Sequence, residues 1–163
     1  MTPHLLISSC LLGEKVKYNG GDNHVGLDEL KRLANAAVLI PVCPEVAGGL
    51  STPRIPAETW EDGSVVNAQG ESVTDAFAKG AHVALETARE HGIKAALLKE
   101  RSPSCGVHEI YDGSFSGRVV PGQGMTSRLL SDAGIRLFNE NEISECIEYL
   151  QSFNETHQGE TDD

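Results

Sequence analysis

The chain has 163 residues, 39% hydrophobic and 23% charged, ordinary proportions for one folded domain with a single core. Its formal charge of −11, from 24 acidic against 13 basic residues with no basic run longer than Lys31-Arg32, argues against a stable nucleic-acid binder, because polyanions are held by clustered Lys and Arg. No stretch approaches the ~20 apolar residues of a membrane helix, and no basic segment precedes the first apolar run, so neither a membrane span nor a secretory signal is expected and the expected location is cytoplasmic.

Leu5-Leu6-Ile7 reads as a buried strand that stops just before Cys10, and residues 11–22 follow as a loop rich in turn formers. Leu27, Leu30 and Leu33 recur at helical spacing, which predicts a helix over 26–35 with Asp28 and Glu29 in its first turn. Ala37-Val38-Leu39-Ile40 is a second strand, running into Pro41-Val42-Cys43-Pro44-Glu45. Residues 46–70 carry Gly48-Gly49, Pro53, Pro56 and Asp62-Gly63, and read as a long loop of the kind that is usually functional.

Val73, Phe77, Ala81, Ala84, Leu85 and Ala88 line one face of a predicted helix over 72–91, with Ser72 and Asp75 spaced as a capping box and Gly92 as its stop. Ala95-Ala96-Leu97-Leu98 is the third strand and leads into Ser102-Pro103-Ser104-Cys105-Gly106. A hairpin is expected around Asp112-Gly113, then a helix over 125–132, a fourth strand over 135–138 and a last helix over 142–153. Short apolar strands alternating with amphipathic helices predict an α/β fold: a single three-layer Rossmann-like domain with a mainly parallel sheet. That domain is expected over 1–153, with an acidic, disordered tail over 154–163.

In such sheets the functional residues lie just past the carboxyl ends of the strands. Cys10, Cys43 and Cys105 each fall shortly after a predicted strand, so three parallel neighbours would bring their thiols to one edge. Cys146 sits between Ile143 and Ile147 on a helix face and reads as core. Three thiolates at one point need a cation, because clustered negative charge is costly. Their chemistry suits an iron–sulfur cluster, with Cys43-Pro44 of a kind often seen at such ligands, or a three-Cys zinc site; buried inert thiols are the third reading.

The neighbours admit two readings each. Glu45 is placed to reach such a centre or is a surface carboxylate, and Ser102 and Ser104 act there or bond the local turn. Lys99-Glu100-Arg101 reads as a solvated charge run, Arg54 as an anion clamp or an exposed side chain. Gly122-Gln123-Gly124 before Thr126 offers backbone N–H groups to an anion.

Several motifs in order carry a resemblance. Ile7-Ser8-Ser9-Cys10-Leu11-Leu12-Gly13, Cys43-Pro44-Glu45-Val46-Ala47-Gly48-Gly49-Leu50, Pro53-Arg54, Leu98-Lys99-Glu100 and Ser102-Pro103-Ser104-Cys105-Gly106 closely resemble the thiouracil desulfidase family. Tyr111-Asp112-Gly113, Phe115-Ser116-Gly117 and Gly122-Gln123-Gly124-Met125-Thr126 extend the likeness, which spans roughly residues 5–138.

The resemblance implies a 4Fe–4S cluster on Cys10, Cys43 and Cys105 with one iron open, a catalytic carboxylate at Glu45, and a catalytic serine at Ser102 with Ser104 as competitor. It implies non-redox desulfuration of thiouracil-type bases, with a small thiolated heterocycle as partner. Desulfuration of 4-thiouridine in nucleosides or tRNA is the alternative activity, and a non-catalytic iron–sulfur redox sensor the alternative class.

Overall fold

The computed structural model describes residues 2–14, 17–21 and 24–162, with side chains described through residue 153. Four strands form a parallel sheet: β1 (His4–Ser8), β2 (Val38–Val42), β5 (Ala95–Leu98) and β8 (Arg136–Asn139), ordered β2-β1-β5-β8. The register sets Leu5 beside Leu39 and Ala95, and Leu97 beside Ile7 and Phe138. Pro41 lies within β2 and is accommodated there because β2 is an edge strand, where a missing N–H leaves no partner stranded.

Successive strand residues point to opposite faces, so the central strands bury both sides. Leu5, Ile7, Ala95 and Leu97 pack with Leu33 of α1 (Leu27–Ala36) and with Ile143, Cys146, Ile147 and Leu150 of α5 (Ile143–Asp162). Leu6, Ala96 and Leu98 pack on the other face with Ala84, Leu85 and Ala88 of α3 (Thr74–Glu90) and with Leu130 of α4 (Met125–Asp132). The result is the expected three-layer α/β sandwich. Cys146 is fully buried in it, as its helix position predicts.

The chain leaves β1 toward β2 on one side, while the next crossover passes back to β5 on the other. The connections that leave the carboxyl ends of β1 and β5 therefore diverge, which is the switch point where open α/β sheets place their ligands.

Smaller elements depart from the sequence reading. The 46–70 stretch is not a plain loop: a short helix α2 (Pro44–Ala47) runs into it, and a hairpin of β3 (Ala57–Thr59) and β4 (Val65–Asn67) lies inside it. Three-residue strands amid Gly and Pro carry too little periodicity to be read. The expected hairpin is present as β6 (Glu109–Tyr111) and β7 (Val119–Pro121), but a seven-residue connection replaces the tight Asp112-Gly113 turn. Ser72 forms no capping box, since Val73 occupies the cap of α3. Thr74 instead ties the helix to β4 through the Val65 amide at 2.9 Å.

Helix α5 continues past the predicted end at residue 153. The side chains of the predicted acidic tail, and residues 15, 16 and 22 of the predicted 11–22 loop, lie outside the described residues. Among the described residues no helix is long and apolar enough to cross a membrane.

Candidate active site

Three loops leave the sheet at its carboxyl edge. After β1 the chain turns through a 3₁₀ segment, Ser9–Leu12, which carries Cys10. After β2, Cys43 caps α2, whose Pro44 sits at the first helical position where a missing N–H is harmless, and Glu45 follows in the first turn. After β5 comes the loop carrying Ser102, Ser104 and Cys105.

Two glycines permit the close packing of these loops. A Cβ on Gly80 of α3 would lie 1.8 Å from the Pro44 carbonyl oxygen, and one on Gly124 would lie 2.5 Å from the Ser104 carbonyl carbon.

Cys10, Cys43, Cys105, Glu45, Ser102 and Ser104 all line one open cavity of about 950 Å³, as do Ser8 and Arg54. The structure thus brings together the three candidate ligands, the carboxylate and both serines singled out in sequence. None of the four cysteines is in a disulfide. Burial pushes the Cys105 thiol up to about 12, and the neighbouring Glu45 and Cys10 charges push the same way against hydrogen bonds from Ser104 and Ser8. Burial also raises Cys43; Glu45 adds to this, while the Val46 amide and Arg54 oppose it.

A cation beside these thiols would favour their thiolate forms. Among the described residues no three His, Cys, Asp or Glu side chains converge closely enough to hold a single metal ion. A multi-iron cluster takes each thiolate on a different iron, so it calls for wider spacing around a shared cavity. The donor set fits such a cluster: three thiols outside any disulfide, delivered by three loops to one cavity.

Glu45 sits at the centre of a polar network. Its Oε1 accepts from Ser104 Oγ at 3.0 Å and from Ser102 Oγ at 3.4 Å, and its Oε2 accepts from Arg54 Nε at 2.9 Å and from the Arg54 Nη2 group. The two serine hydroxyls lie 3.0 Å apart. Ser102 Oγ also accepts from the amides of Ser104 and Cys105, at 3.2 and 3.1 Å, which leaves its own proton for Glu45 or Ser104. Ser104 is buried, whereas Ser102 is half-buried and open to the cavity.

Arg54 is therefore neither an exposed side chain nor a free anion clamp. It pairs with Glu45, and its amide donates to the Tyr18 carbonyl, joining two segments that line the cavity.

Two other expectations are corrected. The amides at the start of α4 do not face an anion: Met125 donates to the Pro103 carbonyl, and Thr126 and Ser127 donate to that of Ser104. Glu100 is not part of a solvated run. It is 6% exposed, and its carboxylate accepts from the amides of Val107, His108 and Glu109 and from Asn139 Nδ2. No local signal marks it, because all but one of these hydrogen-bond partners, the Arg101 amide apart, lie seven to thirty-nine positions away. Ser8 goes unmarked in sequence for the same reason; its hydroxyl accepts from the Lys99 amide of the adjacent strand's exit at 3.0 Å.

Known proteins share this arrangement of sequence and fold. The chain is 41% identical over 152 residues to the Bacillus subtilis (strain 168) protein YbbK, itself uncharacterized, covering 88% of this chain and 99% of that one. A solved structure of a [4Fe-4S]-dependent thiouracil desulfidase, TudS, superposes with a TM-score of 0.88 at 41% identity, over 92% of this chain and 99% of the other. The 2-thiouracil desulfurase family matches residues 5–142, and the chain belongs to that family.

Proposed function

We propose that this chain replaces the sulfur of a thiouracil-type base with oxygen and releases sulfide, using a 4Fe–4S cluster held by Cys10, Cys43 and Cys105. The observation that carries the reading is the meeting of three thiols with the Glu45–Ser102–Ser104 network on one cavity at the sheet's switch point. The likeness to a [4Fe-4S]-dependent thiouracil desulfidase supports it. When bound, the cluster supplies a thiophilic Lewis acid, because a three-cysteine set leaves one iron without a protein ligand.

The reaction consumes one water: oxygen joins the ring carbon, sulfur leaves, and both protons of the water end on the departing sulfide. Carbon and sulfur keep their oxidation states, so no outside oxidant or reductant is required. Glu45 Oε1 accepts a proton from the attacking water, an effect typically worth ~10²–10⁴-fold. Ser102 donates its hydroxyl proton to the ring nitrogen or leaving sulfur and is reprotonated through Ser104 and Glu45. Arg54 holds the carboxylate in place through two N–H groups on one oxygen. A sensor without catalysis would leave this network without a task. A cytoplasmic setting fits, since thiols stay reduced there. Residues 1–153 form the desulfidase domain in this reading, and the acidic end of the chain lies outside it.

A larger substrate has one observation in its favour. The open cavity, at about 950 Å³, is larger than a free base alone requires, although a bound cluster would take part of it. The −11 charge still weighs against tRNA.

The test is anaerobic cluster reconstitution followed by assays of 2-thiouracil, 4-thiouracil, 4-thiouridine and thiolated tRNA, reading thione absorbance and released sulfide together. Turnover of the free base or nucleoside is expected. A fully loaded protein that releases no sulfide from any of them refutes the proposal.

A further inference from the structure

Glu100 is the buried carboxylate that the proposed chemistry does not use. Its Oε1 accepts from the amides of Val107 at 2.7 Å, His108 at 3.0 Å, Glu109 at 3.2 Å and Arg101 at 3.3 Å; its Oε2 accepts from Asn139 Nδ2 at 2.7 Å. The Glu100 amide in turn donates to Glu140 Oε1 at 2.8 Å, and Lys99 pairs with that same Glu140 at 3.0 Å. The loop after β5 is thus wrapped around its own second residue and anchored to the exit of β8.

The backbone shows that this wrapping is enforced. Arg101, next to Glu100, has φ +67°, a left-handed conformation that is unfavourable for a non-glycine residue and persists only where surrounding contacts dictate it. Between that turn and the gathered amides lie Ser102, Ser104 and Cys105. Removing the carboxylate would release both sides of the segment at once: the strained turn before Ser102 and the three N–H groups after Gly106.

We infer that Glu100 is a positioning residue, whose carboxylate gathers the 107–109 amides and so fixes Ser102, Ser104 and Cys105 in the geometry that the cluster and substrate require. This rests on the proposed function for the role of the three residues, though not for the loop's rigidity. Glu100→Gln replaces one acceptor oxygen with an NH₂ group that faces other donors, while Glu100→Asp keeps the charge but withdraws it by one methylene.

Both full-length variants are compared with the parent chain in three measurements: amide exchange before cluster loading, iron bound after anaerobic reconstitution, and kcat and KM for thiouracil per bound cluster. In E100Q the Val107, His108 and Glu109 amides are expected to exchange at least ~10-fold faster while those of β1 and β5 keep their protection. Iron binding falls, and kcat per cluster drops ~10–100-fold with KM changed less than about threefold, as for misplaced but present groups. E100D lies between E100Q and the parent.

Parental exchange at 107–109, or parental iron content and kcat, overturns the inference. So does loss of protection spread equally over β1 and β5, which marks a residue that stabilises the whole fold. If E100Q does not fold, E100D decides by the same criteria. If the parent itself shows no thiouracil turnover while exchange and iron binding respond as expected, the substrate assignment fails and the positioning role stands.

Discussion

Replacing Glu45 with Gln separates holding the cluster from using it. The change is nearly isosteric and leaves all three thiols untouched, so iron content should match the parent. The general base is lost, and turnover should fall at least ~10²-fold, or about 2.7 kcal/mol of barrier. Stability should fall as well, for a reason visible in the structure. The Arg54 and Glu45 side chains are 8% and 15% exposed, so their pair is largely removed from water. The amide introduced by Glu45→Gln would still offer Arg54 a carbonyl oxygen, which keeps the loss nearer a weakened charged hydrogen bond than an orphaned charge. That is about 1–3 kcal/mol, or a melting temperature lower by roughly 2–12 °C in a chain of this length.

The assay reads bound iron, the substrate-induced change in the cluster spectrum, turnover and thermal unfolding on the same preparation. Glu45→Gln and Ser102→Ala combined should lose little more rate than the worse single variant, because both serve one proton path. Normal turnover by Glu45→Gln would show that the carboxylate is structural and that the proton route argued above is wrong.

Alanine at Cys10, Cys43 or Cys105 should each lower bound iron and abolish turnover, whereas Cys146→Ala should keep both and lose about 1 kcal/mol in thermal unfolding from its small cavity; iron loss in Cys146→Ala would overturn the ligand assignment. Gly124→Ala drives a methyl into the Ser104–Cys105 backbone and should destabilise by about 1–3 kcal/mol and reduce iron loading; parental values for both would mean that the loop yields freely. The Glu100 carboxyl is drawn upward by burial, but the hydrogen bonds from Asn139 and the amides of His108, Glu109 and Val107 outweigh this and hold it below its ordinary 4.5. Its folded value is the lower one, so its stabilisation is present above the ordinary value and fades as pH falls through the folded one. Acid unfolding should therefore be less steep in Glu100→Gln, and identical acid limbs would contradict the claim.

The central sheet is legible in the chain because its strands are short apolar runs, and helix periodicity resumes between them. Leu5-Leu6-Ile7 and Ala95-Ala96-Leu97-Leu98 announce strands buried on both faces, and the placement of the cysteines just past their ends follows from parallel topology. Cys146 is equally plain, since a thiol between two isoleucines on one helix face has nowhere to point but inward.

The β3–β4 hairpin is not legible. Its remote ties come from elsewhere in the chain: Glu58 accepts from the Gly113 and Phe115 amides, and Thr74 from that of Val65. The capping box at Ser72 fails because the helix begins two residues later, with Val73 at its cap and Thr74 bonded to the Val65 amide nine positions back.

Charges mark the sharpest divide between sequence and structure. In sequence Glu100 reads as part of a solvated run and Arg54 as an anion clamp or an exposed side chain, yet one is buried under four backbone amides and the other clasps Glu45. Periodicity reports which positions turn inward, because burial of apolar groups is non-directional and repeats with the local geometry. A buried charge depends instead on specific donors at short range. Those donors come from loops and strands distant in the chain, so only the closed tertiary structure decides whether they meet.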